Sequence, residues 1–219
     1  MQTEILRINP ASIEFSKIRR VSEIIKNGGV VAFPTETVYG VAADAFNEKA
    51  IRRVFEVKKR PLERPLPIQI GKKEEIFRLT RQISKVSLRV IEEFFPGPLT
   101  LILKKSKYVL DIVSAGNDTV AIRMPDDDIA LHILREVNIP LVVPSANIFS
   151  KPPAATALEV KRCFENNIDI IVDGGKTKFG ISSTILDLTD KPFRILRIGC
   201  ISKETIEQVI HTDILLDAH

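Results

Sequence analysis

Two cations, two residues apart, form the sharpest chemical feature of the sequence. Lys58 and Arg60 stand directly before Pro61. A residue that precedes proline is pushed towards extended geometry, so we expect a helix to end near Lys59 and both side chains to project to one side. Arginine supplies a planar fork and lysine a point charge, which together suit a phosphate or a carboxylate. A solvated basic helix end explains the same pattern, and both interpretations stay open.

Hydroxyl, phenol and amide side chains follow two apolar runs of the chain. They are Thr35, Thr37 and Tyr39 after residues 30–33, and Ser145 and Asn147 after residues 141–143. Ligands favour the crevices beyond strand ends, so these groups could hold a small polar molecule. They could equally belong to turns whose side chains bond their own backbone.

Two arginines stand inside apolar segments of strand length. Arg123 lies within residues 120–124, and Arg197 lies within residues 195–198. A buried cation needs an anionic partner from the protein or from a ligand. If these cations and the hydroxyl groups converge, they make a site for an anion-rich ligand; if they are scattered, the pattern carries little meaning.

Composition and charge exclude few classes of function. The 219 residues carry 32 Lys and Arg against 28 Asp and Glu, and the net charge of +4 mildly favours a nucleotide or RNA ligand. The first residues show no secretory signal, and no apolar run approaches about 18 residues. We therefore expect a cytoplasmic protein without a membrane span. Cys163 and Cys200 have no metal-ligand spacing, and we expect both to be reduced.

Apolar periodicity predicts strands and helices that mix without strict alternation. Helices are predicted at residues 18–25, 83–95, 129–137, 156–166 and 202–210, and after a cap at Asn47. Strands are predicted at residues 5–8, 30–33, 66–70, 99–103, 120–124, 141–143, 168–172, 183–188 and 193–198. This order favours an α/β fold with a mixed sheet and flanking helices. We expect one domain over residues 1–211 and a frayed tail at residues 212–219.

Motifs that would assign another chemistry are incomplete. Gly175-Lys176-Thr177 is similar to the end of a Walker A loop, but Ile170 stands where that motif needs glycine. The three histidines and two cysteines make no zinc pattern, and the carboxylates at residues 126–128 suit a helix N-terminus.

Eight segments in order resemble the YrdC-type threonylcarbamoyl-AMP synthase family. They are FPTETVYG (33–40), KKRP (58–61), PGPLTLIL (96–103), TVAIRMP (119–125), PSAN (144–147), DGG (173–175), STILDL (183–188) and ILR-x-G (195–199). Each is weak alone, but eight in order are highly specific, and the resemblance runs over roughly residues 10–210. The resemblance implies a large twisted mixed sheet enclosing a basic cavity, in the short, single-domain form of the family.

The resemblance also implies a reaction and a site. A nucleotidyltransferase of this family joins L-threonine, bicarbonate and ATP into threonylcarbamoyl-AMP and pyrophosphate, and a partner complex transfers the threonylcarbamoyl group to tRNA. Mg²⁺ would be carried by ATP, without a protein metal site. The implied catalytic residues are Lys58, Arg60, Ser145 and Asn147. The implied ATP-binding residues are Lys58, Arg60, Arg64, Ser114, Thr119, Ser145, Asn147 and Arg197. The implied threonine-binding residues are Thr35, Thr37, Tyr39, Gln69, Arg123, Val143 and Ser183.

The chain departs from the family pattern at four positions. Gln69 replaces a common histidine, Arg64 an asparagine, Ser182 a glutamate and Pro153 a serine. Glutamine can hydrogen-bond but cannot carry a proton at neutral pH, so these departures bear on substrate selectivity. Two alternatives stay open: a non-catalytic module that binds double-stranded RNA or tRNA, and a paralogue with another acyl-adenylate chemistry. Weak RNA binding is also compatible with the synthase.

Overall fold

The computed structural model describes residues 2–217 and confirms the predicted mixed sheet with flanking helices. The strands are β1 (Glu4–Arg7), β2 (Val31–Phe33), β3 (Gly40–Asp44), β4 (Ile68–Gln69), β5 (Leu99–Lys104), β6 (Thr119–Arg123), β7 (Leu141–Val142), β8 (Ile170–Asp173), β9 (Thr184–Asp187), β10 (Arg194–Arg197) and β11 (Leu215–Leu216). The helices are α1 (Phe15–Lys26), α2 (Glu48–Lys58), α3 (Ile76–Leu79), α4 (Lys85–Phe94), α5 (Asp111–Ser114), α6 (Asp128–Val137), α7 (Ala157–Phe164) and α8 (Lys203–Ile210).

The eleven strands of the described residues follow the order β1-β8-β2-β3-β7-β4-β6-β5-β9-β10-β11. Parallel and antiparallel neighbours alternate irregularly: β4 runs parallel to β6, whereas β5 runs antiparallel to β6 and parallel to β9. This topology places strands that are distant in sequence side by side. Gln69 of β4 is therefore the register partner of Arg123 of β6.

The sheet is covered by helices on both faces. In β2, Val31 and Phe33 pack with α1 and α6, while Ala32 between them belongs to the larger cluster that includes α2, α4, α7 and α8. Strands buried on both faces read as continuous apolar runs, which is why residues 30–33 lack alternation. The helices on the two faces hold in place the strands that carry the candidate site.

Helix boundaries follow the capping signals in the sequence. Asn47 caps α2 through the backbone N–H of Ala50, and Thr156 forms a capping box with Glu159 at the start of α7. The last residue of α2 is Lys58, and Lys59 follows in the left-handed conformation at φ 51°. The predicted helix end before Pro61 is thus confirmed.

Several elements differ from the sequence-based expectation. Strand β3 was not predicted, because its small residues Gly40, Ala42 and Ala43 give a weak strand signal. The predicted strand at 66–70 shortens to Ile68–Gln69. In the expected tail, Leu215 and Leu216 pair in parallel with β10, and residues 218–219 lie outside the described residues. Within residues 2–217, no helix is long and apolar enough to cross a membrane.

Candidate active site

A cavity of about 390 Å³ lies against strands β4, β5, β6, β9 and β10 and is bordered by the loops at residues 34–40, 60–67 and 143–145. Its polar wall residues are Thr35, Tyr39, Arg60, Arg64, Gln69, Thr100, Arg123, Ser145, Ser182, Ser183 and Arg197. Four of these are arginines, and none of the described lining residues is an aspartate or glutamate. The wall therefore favours an anionic ligand.

Most of the sequence-predicted site residues converge on this cavity. Those in its wall are Thr35, Tyr39, Arg60, Arg64, Gln69, Arg123, Val143, Ser145, Ser183 and Arg197. Three others lie directly behind it, in contact with wall residues: Thr37, Lys58 and Asn147. The structure therefore brings these residues together at one cavity and does not leave them scattered.

Ser114 and Thr119 are not part of the cavity wall. Thr119 begins the row Thr119, Ala121, Arg123 on one face of β6, but only the last two of these reach the cavity. Ser114 is buried at the end of α5, where its Oγ accepts a hydrogen bond from Lys105 Nζ at 2.8 Å. The Ser114 hydroxyl therefore has a hydrogen-bond partner within the protein, Lys105.

Arg123 is a buried cation held from three sides. Its Nε donates to the Gly97 carbonyl at 3.1 Å and its Nη1 donates to Thr37 Oγ1 at 2.8 Å. Its Nη2 lies 2.6 Å from Glu36 Oε2, an ion pair of two side chains that are 7% and 3% exposed. A guanidinium has five N–H donors, and these three contacts engage only three of them. Arg123 therefore keeps a donor for a ligand.

Gln69 presents an acceptor beside that donor. It lies next to Arg123 across the β4–β6 ladder, is 4% exposed and lines the cavity. Its Oε1 is buried without a hydrogen-bond partner. Buried polar atoms are normally paired, so an acceptor left open in a cavity wall points to a ligand that brings an N–H or O–H group.

The turn after β2 supports both of the interpretations that its sequence left open. Thr35 Oγ1 donates to the Val38 carbonyl at 2.7 Å and lies 2.9 Å from Thr37 Oγ1, so the hydroxyls organise their own turn. Tyr39 OH donates to the Gly175 carbonyl at 2.7 Å, and burial, reinforced by Asp173, raises the pKa of this phenol. Thr35 and Tyr39 nevertheless contribute to the wall of the cavity.

Lys58 was expected to project with Arg60 towards a phosphate or carboxylate, but its environment is different. Its side chain is buried, and its Nζ donates to the carbonyl oxygens of Ser145 at 2.5 Å and of Asn147 at 2.6 Å. Burial, followed by the positive charge of Arg60, lowers its pKa to about 7. A neutral amine has two N–H donors, which suffices for these two carbonyls; the ammonium form adds a third.

Asn147 is committed to the same loop. Its Nδ2 donates to the carbonyls of Ile148 at 2.8 Å and Lys151 at 2.7 Å, and its Oδ1 accepts from Ser145 Oγ at 2.6 Å. Ser145 is the member of this pair that reaches the cavity wall. Asn147 therefore holds the loop in shape, while Ser145 faces the ligand space.

The two arginines of the loop before β4 differ in how they are held. Arg60 donates from Nε to the Arg64 carbonyl at 3.0 Å and from Nη2 to the Pro65 carbonyl at 2.7 Å, and its guanidinium lies 5.3 Å from the centroid of the Phe149 ring. These contacts fix Arg60, and burial lowers its pKa. Arg64 is exposed, although it also lines the cavity.

Thr100 is a polar wall residue that the sequence reasoning missed. Thr100 lies in β5, and its Oγ1 is 2.8 Å from Ser183 Oγ. Thr100 and Ile102, two residues apart, both line the cavity. Period-two alternation within the predicted strand could have placed Thr100 and Ile102 on one face. Which face is covered by the cavity depends on β6 and β9, whose positions the sequence did not give.

The arrangement can bind a ligand that carries both carboxylate and phosphate groups. Arginines surround the cavity, hydroxyls stand between them, and one open acceptor lies beside Arg123. Such a wall can neutralise charge and fix orientation without a covalent intermediate. Among the described residues, no three His, Cys, Asp or Glu side chains are grouped as ligands of a metal ion.

A protein-family model described as "Telomere recombination", whose members are Sua5, YciO and YrdC, matches residues 23–199. The threonylcarbamoyl-AMP synthase of Pyrococcus abyssi is 44% identical over 198 residues, and that of Bacillus subtilis is 41% identical over 195. These matches cover 90% and 89% of the chain but only 58% and 56% of the two relatives. A putative threonylcarbamoyl-AMP synthase of Methanocaldococcus jannaschii is 36% identical, with 92% of this chain and 95% of that protein covered.

Solved structures agree with the family match. Sua5 of P. abyssi complexed with L-threonine has 43% sequence identity and a TM-score of 0.94, over 97% of this chain and 62% of that one. YciO of Escherichia coli shares the fold with a TM-score of 0.85 at 22% identity, over 93% of this chain and 99% of that one.

Proposed function

The chain belongs to the Sua5, YciO and YrdC family, and on that premise we propose that it is a threonylcarbamoyl-AMP synthase. Its substrates are L-threonine, bicarbonate and ATP, and its products are threonylcarbamoyl-AMP, pyrophosphate and water. This makes it a nucleotidyltransferase. The observation that carries the proposal is the convergence of four arginines with an open amide acceptor in one cavity, in a chain similar to synthases named for this reaction.

The threonine end of the ligand belongs beside Arg123 and Gln69. Arg123 lines the cavity and has more N–H donors than its contacts with the protein use, and Gln69 Oε1 is a buried acceptor without a hydrogen bond. Arg123 would take the carboxylate, and Gln69 would accept from the amino group or the hydroxyl of threonine. Glu36 balances the charge of Arg123 from behind, at 2.6 Å.

The chemistry then proceeds in two steps. The amino group of threonine attacks the carbon of bicarbonate, a C–N bond forms, and water leaves to give a carbamate. A carbamate oxygen attacks the α-phosphorus of ATP, and the bond to pyrophosphate breaks. Both steps bring anions together, so the contribution of the protein is positioning and charge neutralisation.

The phosphate end belongs with Arg60, Arg64, Arg197 and the Ser145 hydroxyl, all in the cavity wall. Mg²⁺ usually binds through one or two carboxylates together with substrate phosphates. The described wall offers hydroxyls but no carboxylate, so the metal would enter as part of the Mg-ATP substrate. It would neutralise phosphate charge there, and the Ser145 hydroxyl in the wall would offer it a protein oxygen.

Lys58 and Asn147 would act indirectly, by supporting Ser145. Both hold the loop that presents Ser145, through hydrogen bonds of 2.5–2.8 Å. Ser114 and Thr119 would act on the nucleotide only if the ligand extends beyond the cavity wall.

The product fits a role before tRNA modification. A mixed carbamic–phosphoric anhydride is an activated group, so a transferase complex that acts on tRNA would consume it, and we place the protein in the cytoplasm with that complex. Weak RNA binding is a further part of the proposal. It is supported by exposed cations on loops beside the cavity, Arg64, Lys151 and Lys178. A salt-dependent affinity for tRNA would test it.

Isotope labelling tests the proposed reaction. The purified protein is incubated with L-threonine, ¹³C-bicarbonate and Mg-ATP, and the products are separated rapidly for mass spectrometry. We expect threonylcarbamoyl-AMP with one ¹³C atom, in the carbamoyl carbon. Another labelled adenylate would favour a paralogue with different acyl-adenylate chemistry, and formation of no adenylate would contradict the proposal.

A further inference from the structure

Thr100 and Ser183 form a buried pair of hydroxyl groups in the cavity wall. Their Oγ atoms are 2.8 Å apart, and the two residues are 5% and 4% exposed. The parallel pairing of β5 with β9 brings them together, because Leu99 is the register partner of Thr184. The Thr184 N–H also donates to the Pro98 carbonyl at 3.1 Å, which fixes the approach of the two segments.

Arg197 donates to this pair from the other side. Its Nε donates to the Ser183 carbonyl at 3.0 Å, and its Nη2 donates to Ser183 Oγ at 3.3 Å. Gly199 lets the segment after Arg197 approach so closely that a Cβ there would lie 2.2 Å from the Ser182 carbonyl oxygen. Close backbone packing therefore holds the guanidinium against Ser183.

Proton counting shows what the pair can offer to the cavity. A hydroxyl has one donor and two acceptor sites, whereas a guanidinium only donates, so Ser183 Oγ must accept from Arg197. If Thr100 donates to Ser183, both acceptor sites of Ser183 are filled and its own proton is free. If Ser183 donates to Thr100, the Thr100 proton is free instead. Among the described residues, Thr100 Oγ1 has this one hydrogen bond, so either arrangement leaves one O–H for a ligand.

We propose that Thr100 and Ser183 act together as a hydroxyl donor, polarised by Arg197, for an anionic oxygen of the substrate, which makes Thr100 a further substrate-binding residue. The anion follows from the surroundings, since the wall holds four arginines and no carboxylate among the described residues. Hydrogen bonds that begin at a cation strengthen one another along the chain. The oxygen belongs to the threonine carboxylate or to an ATP phosphate, and this choice of ligands rests on the proposed function.

Binding measurements on a hydroxyl-deletion variant test the pair. Thr100→Val keeps the shape of the side chain and removes its hydroxyl. Calorimetric titration with L-threonine, Mg-ATP and inorganic pyrophosphate is expected to show a loss of affinity of about tenfold or more for at least one of them. A loss confined to threonine assigns the oxygen to the carboxylate, and a loss for ATP and pyrophosphate assigns it to a phosphate.

Two further variants separate binding from structure. Thr100→Ser restores a hydroxyl and is expected to recover most of the affinity. Thr80→Val is the matched control, because Thr80 is also a buried threonine whose hydroxyl is bonded, to the Ile76 carbonyl, but it lies outside the cavity. Wild-type affinity of Thr100→Val for all three ligands, or an equal loss in Thr80→Val, would overturn the proposal. The titrations with threonine and pyrophosphate report on the pair without turnover, whereas a failure of the wild type to form threonylcarbamoyl-AMP would contradict the proposed function.

Discussion

The Lys58 Nζ lies 2.5 Å from the carbonyl oxygen of Ser145. It donates in the same way to the Asn147 carbonyl, and the Phe149 N–H donates back to the Lys58 carbonyl at 2.8 Å. The end of α2 and the loop after β7 are thereby joined at the edge of the cavity. The position of Ser145 in the wall depends on a lysine that is itself behind the wall.

Removing the Lys58 amine should therefore affect both stability and catalysis. Lys58→Met keeps the apolar stem but leaves two carbonyls without their donor, and we expect the free energy of unfolding to fall by about 1–3 kcal/mol. Turnover should fall with it, because the loop that carries Ser145 loosens. Urea denaturation and product formation measure the two effects. The exposed neighbour is the control: Lys59→Gln should change neither, and an equally large effect there would contradict the role of Lys58.

The same residue should give a pH dependence of stability. Burial lowers the pKa of Lys58 from 10.5 to about 7, so between these values the unfolded chain binds a proton that the folded chain does not. Stability should consequently rise with pH in this window. We expect the unfolding free energy of the wild type minus that of Lys58→Met to increase by up to about 1.4 kcal/mol per pH unit between pH 7.5 and 10. A difference that stays flat or falls would show that Lys58 remains charged in the folded protein.

Asp127 should give a dependence of the opposite sign. Its Oδ1 accepts from the Ala130 N–H at the start of α6, and burial, assisted by Glu36 and Asp128, raises its pKa to about 6. The folded state then binds the extra proton between pH 4 and 6, so stability attributable to this group falls as pH rises through that window. Asp127→Asn retains the capping oxygen and should gain stability relative to the wild type from pH 4.5 to pH 7. The exposed Asp126→Asn variant serves as the control, and a parallel gain there would contradict the assignment.

Breaking the buried ion pair should cost far more than breaking an exposed one. Glu36→Gln leaves Arg123 without its counter-charge, and we expect a loss of about 3–5 kcal/mol in unfolding free energy. Asp118→Asn removes the partner of Arg81 at the surface, where both side chains are exposed, and should cost less than about 1 kcal/mol. Denaturation of both variants in the same buffer compares them. Similar losses would mean that solvent or another group compensates Arg123.

The sequence predicted the elements better than it predicted their neighbours. The cap at Asn47 and the helix end before Pro61 are local signals, and the structure confirms them. Strand β3 escaped prediction because its small residues Gly40, Ala42 and Ala43 have a low strand propensity. The pairing of β4 with β6, which sets Gln69 beside Arg123, joins segments over fifty residues apart and has no local signature.

For the candidate site, motif resemblance located the cavity but did not distinguish wall from support. Lys58 and Asn147 stand in motifs with Arg60 and Ser145, yet their polar atoms are bonded to backbone carbonyls of the 145–151 loop. Lys58 and Asn147 are buried behind the wall. Their burial depends on tertiary packing, which a local motif does not reveal. Thr100 was missed because a threonine in a strand gives no sign of binding a ligand until the neighbouring strand is known.

Pyrophosphate release tests the central claim most directly. The purified protein is supplied with Mg-ATP, and release is followed with L-threonine and bicarbonate together, with each alone, and with neither. The proposed synthase predicts release that requires both co-substrates, since the attacking oxygen belongs to a carbamate made from the two. Release that is independent of threonine or of bicarbonate, or no release by folded protein that binds ATP, would contradict it.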